Sequence, residues 1–145
     1  GDGRSCSARA TRLLWELPEQ LHILHRRIPL CLSVLAFTSQ GTCMTDCSVL
    51  YLSGSIEIIP DGLFSGFANL EILHVMGSWP RTGLTNISSA TFSGLVNLKD
   101  LSLSSHPITD IPPGAFSGLA NLTRLSLNDN QITSIAPSAF SGLAN

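Results

Sequence analysis

Few of the residue types that commonly perform chemistry stand at spacings that would let them act together. His22 and His25 form a bare H-x-x-H, without the glutamate and third ligand of a zinc hydrolase. Serine is abundant, but the chain has no G-x-S-x-G turn, no phosphate-binding loop and no paired catalytic carboxylates. We therefore predict that the chain is not an enzyme, has no catalytic residues and binds neither a metal nor a cofactor.

The four cysteines all lie in the first third of the chain. A zinc site would need a second closely spaced pair of ligands beside Cys43 and Cys47, and the sequence has none. Disulfide bonds in an exported protein account better for these residues. Of the three pairings, we favour Cys43 with Cys47, which survives removal of a signal peptide, and hence Cys6 with Cys31.

An apolar run of ten residues, 28–37, follows two arginines and precedes small residues. This order has the shape of a secretory signal over residues 26–41. The alternative is a strand or short helix of a cysteine-containing N-terminal cap that covers residues 1–46. Both interpretations indicate export. The run is too short to span a bilayer, so any membrane attachment requires a segment absent from this chain.

The charge content argues against a nucleic-acid partner. Only 12% of the residues are charged, the formal net charge is −2, and the last hundred residues contain no run of lysine or arginine. Nucleic-acid-binding domains usually carry a basic patch. We therefore predict no nucleic-acid partner and a surface solvated by hydroxyls, amides or glycans.

An internal repeat predicts the strands and turns that position the residues of this chain. The segment FSGLAN occurs at 116–121 and again at 140–145, and the repeated phenylalanine recurs at intervals of 28, 24 and 24 residues. Each unit also has a short segment of alternating apolar residues, which predicts a strand with one buried face. Stacked units bury what one unit cannot. We therefore predict a column of stacked Phe64, Phe92, Phe116 and Phe140, with Leu73, Leu101 and Leu125 aligned on adjacent strands.

The frame Leu-x-x-Leu-x-Leu-x-x-Asn-x-Ile, complete at 122–132, resembles that of leucine-rich repeats. The 24-residue unit and its Ala-Phe pair resemble the extracellular subclass that includes Toll-like and variable lymphocyte receptors. The resemblance implies an α/β-type repeat solenoid, a leucine-rich repeat horseshoe segment. Its short parallel strands would lie on the concave face and loops or 3-10 turns on the convex face, with few or no long helices. Residues 47–145 would form about four repeats, truncated before a C-terminal cap.

One position departs from the family frame. The family's asparagine after each strand bonds to the backbone of the neighbouring coil, but only Asn130 holds that position here. Ser55, Ser78 and His106 replace it in the earlier units. We expect those earlier coils to be less regular.

Strand alternation points one set of side chains outward, where they could bind a ligand. The N-terminal half of this set is apolar and aromatic, and the other half is polar. The predicted ligand-binding residues are Tyr51, Ile72, His74, Met76, Asp100, Ser102, Arg124, Ser126 and Asn128. The alternatives are that other parts of the protein cover the apolar ones, and that Asp100 and Arg124 form only an exposed ion pair.

Two further features could serve recognition or modification. The 28-residue unit contains an insertion with Trp79 and Arg81, which is either an interface anchor or a cover for an apolar gap. Sequons occur at Asn86 and Asn121. We expect Asn86 to be the better exposed acceptor and Asn121 to serve a turn first.

The resemblance implies a ligand-binding ectodomain fragment of a Toll-like pattern-recognition receptor, secreted or on the extracellular side of the plasma membrane. Its partner would be a protein or microbial-type ligand, and the full receptor could form homo- or heterodimers. The alternatives are a secreted or cell-surface adhesion or matrix protein, and the targeting repeats of an intracellular enzyme.

Overall fold

The computed structural model describes residues 5–10, 48–54, 56–77 and 83–144, with residues 5–10, 53 and 54 described by their backbone alone. The predicted signal segment and the side chains of all four cysteines lie outside this description. So do Trp79 and Arg81 of the insertion.

Short parallel strands make up the regular structure of the described residues, and these residues contain no helix. A five-stranded sheet has the order β1-β2-β3-β4-β6, and a two-stranded sheet pairs β5 with β7. The strands are β1 (Ser5–Ala10), β2 (Val49–Gly54), β3 (Ile72–Met76), β4 (Asp100–Ser102), β5 (Asp110–Ile111), β6 (Arg124–Ser126) and β7 (Ser134–Ile135). We name each coil after its first strand: the β2 coil (49–71), the β3 coil (72–99), the β4 coil (100–123) and the β6 coil (124–144).

The strand register confirms the predicted alignment of the repeats. Leu73 pairs with Leu101, and Leu101 with Leu125, on adjacent parallel strands. All strand pairs in both sheets are parallel, as a solenoid requires. The sequence did not predict β1, which lies within the proposed N-terminal cap and pairs along its whole length with β2.

The interior is one apolar column shared by successive coils. Neighbouring rings of Phe64, Phe92, Phe116 and Phe140 have centroids 6.3, 6.1 and 5.7 Å apart and lie within 16° of parallel. The first three phenylalanines are buried, with at most 1% of their surface exposed. Burial of each ring contributes about 1.5–3 kcal/mol, so this column supplies a large part of the stability.

The turns after Phe92, Phe116 and Phe140 require glycine. Gly94, Gly118 and Gly142 have φ of 91°, 89° and 93°, a left-handed conformation that other residues rarely adopt. At Gly94, a Cβ atom would also lie 2.7 Å from the Cα of Ser65 in the preceding coil. The glycine therefore recurs in these turns because of this backbone conformation, and at Gly94 also because the coils approach closely.

We predict that Phe116→Ala lowers the free energy of unfolding by about 3–5 kcal/mol, because it opens a cavity between two stacked rings. Urea unfolding of the full chain, followed by circular dichroism, measures this loss. Phe140→Ala is the matched control, since 42% of that residue is already exposed. Equal losses in the two variants would contradict the assigned burial.

Candidate recognition surface

The five-stranded sheet presents its outward side chains in aligned rows. We call this surface the sheet face, and define it by the outward residues of β2, β3, β4 and β6. Along β3, Leu73 and Val75 are buried while Ile72 and His74 are partly exposed and Met76 is 50% exposed. Two rows cross the strands: Val49, Ile72, Asp100 and Arg124, then Tyr51, His74, Ser102 and Ser126.

Four side chains of the sheet face form a continuous chain of contacts across four strands. The ring of Tyr51 packs edge-to-face on His74, with centroids 5.2 Å apart. The imidazole Nε2 of His74 lies 3.4 Å from Oδ1 of Asp100. On the other side, Nη1 of Arg124 lies 3.9 Å from Oδ2 of the same carboxylate. We call these four residues, Tyr51, His74, Asp100 and Arg124, the cross-strand row.

The two contacts of Asp100, with Arg124 and with His74, differ in their exposure to solvent. The Arg124 side chain is 76% exposed, so its ion pair contributes at most about 1 kcal/mol. His74 Nε2 and Asp100 Oδ1 are shielded from solvent, yet neither has a hydrogen-bond partner among the described residues. Their contact is an ion pair only when the imidazole is protonated.

The sheet face changes in character from β2 to β6. Tyr51 and Met76 are 41% and 50% exposed at the apolar end. At the polar end, the hydroxyl groups of Ser102 and Ser104 lie 3.0 Å apart, and Ser126 and Asn128 provide further polar groups. One surface therefore offers aromatic, apolar, charged and hydroxyl groups within a few strands.

The two sequon asparagines occupy different environments. Asn121 Nδ2 donates to the Val96 carbonyl at 2.8 Å, and Asn97 Nδ2 donates in the same way to the Ala68 carbonyl at 2.7 Å. These amides tie one coil to the next. Asn86 is exposed and bonds at 3.5 Å only to the neighbouring Thr85 hydroxyl among the described residues.

Asn86 also lies away from the sheet face. It stands one residue before Ile87, as Asp110 stands before Ile111 and Ser134 before Ile135 in the second sheet. Asp110 and Ser134 are both exposed. The same position in the β2 coil is held by Ile58, which is 63% exposed.

Sequence reasoning missed the role of His106. This fully buried residue holds the position of the family's asparagine, and its Nε2 lies 2.9 Å from the Val75 carbonyl of the preceding coil. Asn130 donates to the equivalent carbonyl, that of Leu103, at 2.7 Å. The expectation that a coil without asparagine is less regular was therefore incomplete, because imidazole keeps the bond between coils. The histidine in place of asparagine at position 106 was the signal in the sequence that could have indicated this role.

Comparison with known proteins agrees with the repeat geometry. The leucine rich repeat family profile matches residues 80–130 and 97–145. Residues 80–145 therefore belong to the leucine-rich repeat family. Leucine-rich repeat domains generally bind proteins or other ligands, and this is the functional class that the family supports.

A solved structure, a crystal structure of a TLR13–ssRNA13 complex, is similar to this chain. The two are 25% identical, the match covers 69% of this chain and 17% of that chain, and the TM-score is 0.43. No curated protein sequence matches the chain. Within the described ranges, no helix is long and apolar enough to cross a membrane.

We predict that Asn97→Ala lowers the free energy of unfolding of this chain by about 0.5–1.5 kcal/mol, because the bond to the Ala68 carbonyl is lost. Denaturant unfolding measures the change. Asn86→Ala is the control, and its change should stay within about 0.5 kcal/mol. A larger loss in the control than in Asn97→Ala would show that the amides do not link the coils.

Proposed function

We propose that this chain is a recognition segment of a secreted or cell-surface receptor of the Toll-like type, and that the sheet face binds the ligand. The observation that carries the proposal is the cross-strand row of Tyr51, His74, Asp100 and Arg124. Its members come from four different strands, and side-chain contacts link them in sequence. Such a row can present several binding groups at once.

The strands that carry the row are anchored by the buried leucines of the same strands. Leu50, Leu73 and Leu101 are at most 1% exposed, and they alternate with Tyr51, His74 and Asp100. Outward groups on such strands are ordered before a ligand arrives. Binding therefore costs less conformational entropy than it would on a flexible loop.

The composition of the sheet face fits a protein ligand. Tyrosine, methionine and arginine are enriched at protein interfaces, and exposed apolar side chains beside polar ones are typical of binding patches. Tyr51 and Met76 supply the apolar contacts, and Arg124 and Asn128 supply polar ones. A complementary ligand would place an apolar side chain near β2 and β3 and polar groups near β4 and β6.

The arrangement favours binding over catalysis. Ser102 lies beside His74 in the strand register, but its hydroxyl contacts Ser104. A serine nucleophile needs its hydroxyl within hydrogen-bond reach of the base. The proposed role is therefore that of a non-enzymatic binding module.

The receptor class and the extracellular location are supported by the repeat frame. The 24-residue unit with its Ala-Phe pair is the frame of the extracellular subclass, and the family match covers the coils that show it best. We also propose that residues 1–46 form the N-terminal cap. The pairing of β1 with β2 supports this part, because β1 adds a strand to the repeat sheet from that segment.

The recognition role is tested by screening the full chain against secreted and cell-surface proteins and microbial extracts, then measuring the affinity of sheet-face variants for the ligand found. Tyr51→Ala should weaken binding by about 2 kcal/mol, roughly thirtyfold, if Tyr51 is an interface anchor. Asp100→Ala should weaken it as well, since it removes the centre of the cross-strand row.

Ile58→Ala is the matched control for this experiment. It removes an exposed apolar side chain outside the sheet face, in the position that Asp110 and Ser134 hold in the second sheet, and should leave the affinity unchanged. The proposal is wrong if Ile58→Ala abolishes binding while the sheet-face variants, shown to be folded by circular dichroism, bind normally.

We further propose that Asn86 carries the glycan of this chain. Its amide is exposed, whereas Asn121 uses its amide nitrogen to bond the Val96 carbonyl. In protein secreted from eukaryotic cells, Asn86→Gln should remove the mass that a glycosidase releases, and Asn121→Gln should leave it in place. Loss of that mass in Asn121→Gln alone would contradict the assignment.

A further inference from the structure

His106 is a titratable group built into the contact between two coils. Its Nε2 lies 2.9 Å from the Val75 carbonyl, and its Nδ1 accepts the Leu84 backbone N–H at 3.2 Å. Since a carbonyl can only accept, Nε2 must carry the proton, and Nδ1 must be bare to accept from Leu84. Both bonds together therefore require the neutral Nε2–H form of the ring.

We propose that His106 makes the contact between the β3 and β4 coils sensitive to pH, because protonation of Nδ1 replaces an accepted hydrogen bond with two opposed N–H groups. The bond to Val75 survives protonation, but the bond to Leu84 cannot. The Leu84 N–H and the new imidazole N–H are then both left without an acceptor. Unpaired buried donors of this kind cost free energy.

The surroundings leave the charged ring no easy way to adapt. A Cβ atom on Gly83 would lie 2.4 Å from Nδ1 of His106, and one on Gly77 would lie 3.1 Å from it. Two glycines at these positions thus let the backbone close around the imidazole. The ring is fully buried, so water does not reach it from the surface in this conformation.

Among the described residues, the charged ring has no counter-ion. Around it, the β3 coil contributes the Val75 carbonyl, the Leu84 N–H and the two glycines, while Ser105 precedes it in its own coil. The titratable side chains of β3 and β4, His74 and Asp100, contact each other on the sheet face. Glu71 and Lys99 pair with each other, and Asp110 and Asp129 are exposed. Among the residues that the structure describes, no charged side chain forms an ion pair with His106.

The direction of the pH effect follows from this environment. Burial lowers the pKa of His106 below its ordinary value of 6.5, and the bond to Val75 only partly offsets that change. The unfolded chain therefore takes up this proton at a higher pH than the folded chain. The stabilisation that depends on neutral His106 is therefore complete above about pH 6.5. It decreases as the pH falls from there through the pKa of His106 in the folded chain. In that interval one proton changes the unfolding equilibrium constant by up to about tenfold per pH unit.

The same solenoid contains a version of this contact that does not titrate. Asn130 holds the equivalent position in the β6 coil and bonds the Leu103 carbonyl through its amide nitrogen. An asparagine at 106 keeps a donor for Val75 and an oxygen that can accept from Leu84. The variant His106→Asn therefore offers the same two kinds of group and does not titrate.

The test is urea unfolding of the full chain at pH values from about 5 to 8, compared between the parent and His106→Asn. Between pH 6.5 and the folded pKa, the parent's unfolding constant should rise more steeply toward acid than the variant's, by up to about tenfold per pH unit. The same difference in pH dependence should be found between His74→Asn and the double variant that carries both His74→Asn and His106→Asn. His74 lies on the sheet face and is a separate imidazole. Equal pH dependence with and without His106 would overturn the proposal.

A measurement on the parent protein keeps the test valid if His106→Asn does not fold. Nitrogen chemical shifts of the His106 ring should report the Nε2–H form at pH 7.5. Acidification should speed hydrogen exchange at the Leu84 amide beyond its intrinsic rate change. A ring that becomes protonated while this amide stays protected would overturn the proposal. Neither measurement depends on the proposed ligand-binding function.

Discussion

The whole structure depends on burial that no single coil can achieve alone. Each coil has apolar residues along one side of a very short strand and one phenylalanine at its turn. These side chains leave water only when the next coil covers them, as the nearly parallel rings from Phe64 to Phe140 show. This requirement fixes the parallel strand order and the approach of the glycine turns, and it leaves the opposite side of each strand free for other roles.

Polar side chains also join each coil to its neighbour. The amides of Asn97, Asn121 and Asn130 each reach a carbonyl of the preceding coil. His106 does the same with an imidazole, and its second nitrogen adds a bond to Leu84. The coils are thus joined by two systems: apolar contacts that are indifferent to pH, and polar bonds, among which those of His106 contain a buried titratable group.

Much of the fold could be predicted from spacing, because each apolar position repeats with its coil. The recurrence of phenylalanine gave the stacked column, and alternation around Leu73, Leu101 and Leu125 gave the register. β1 escaped prediction because 5–10 shows no repeat frame and pairs with a strand far along the chain. Within the sheet face, alternation predicts which residues point outward. It does not predict that His74 lies against both Tyr51 and Asp100, since those contacts depend on rotamers and on three strands at once.

The sequence by itself determined the period, the residues that face inward and the family, because these are properties of local patterns repeated along the chain. Only the tertiary structure decided what a single departure from the pattern does. Histidine at 106 looks like a lost asparagine in the sequence. In the folded chain its neutral ring links two coils, because the Val75 carbonyl is an acceptor and the Leu84 N–H is a donor. Burial favours this neutral form by lowering the pKa of His106. Partners 31 and 22 residues away act on one ring, and no local pattern contains that information.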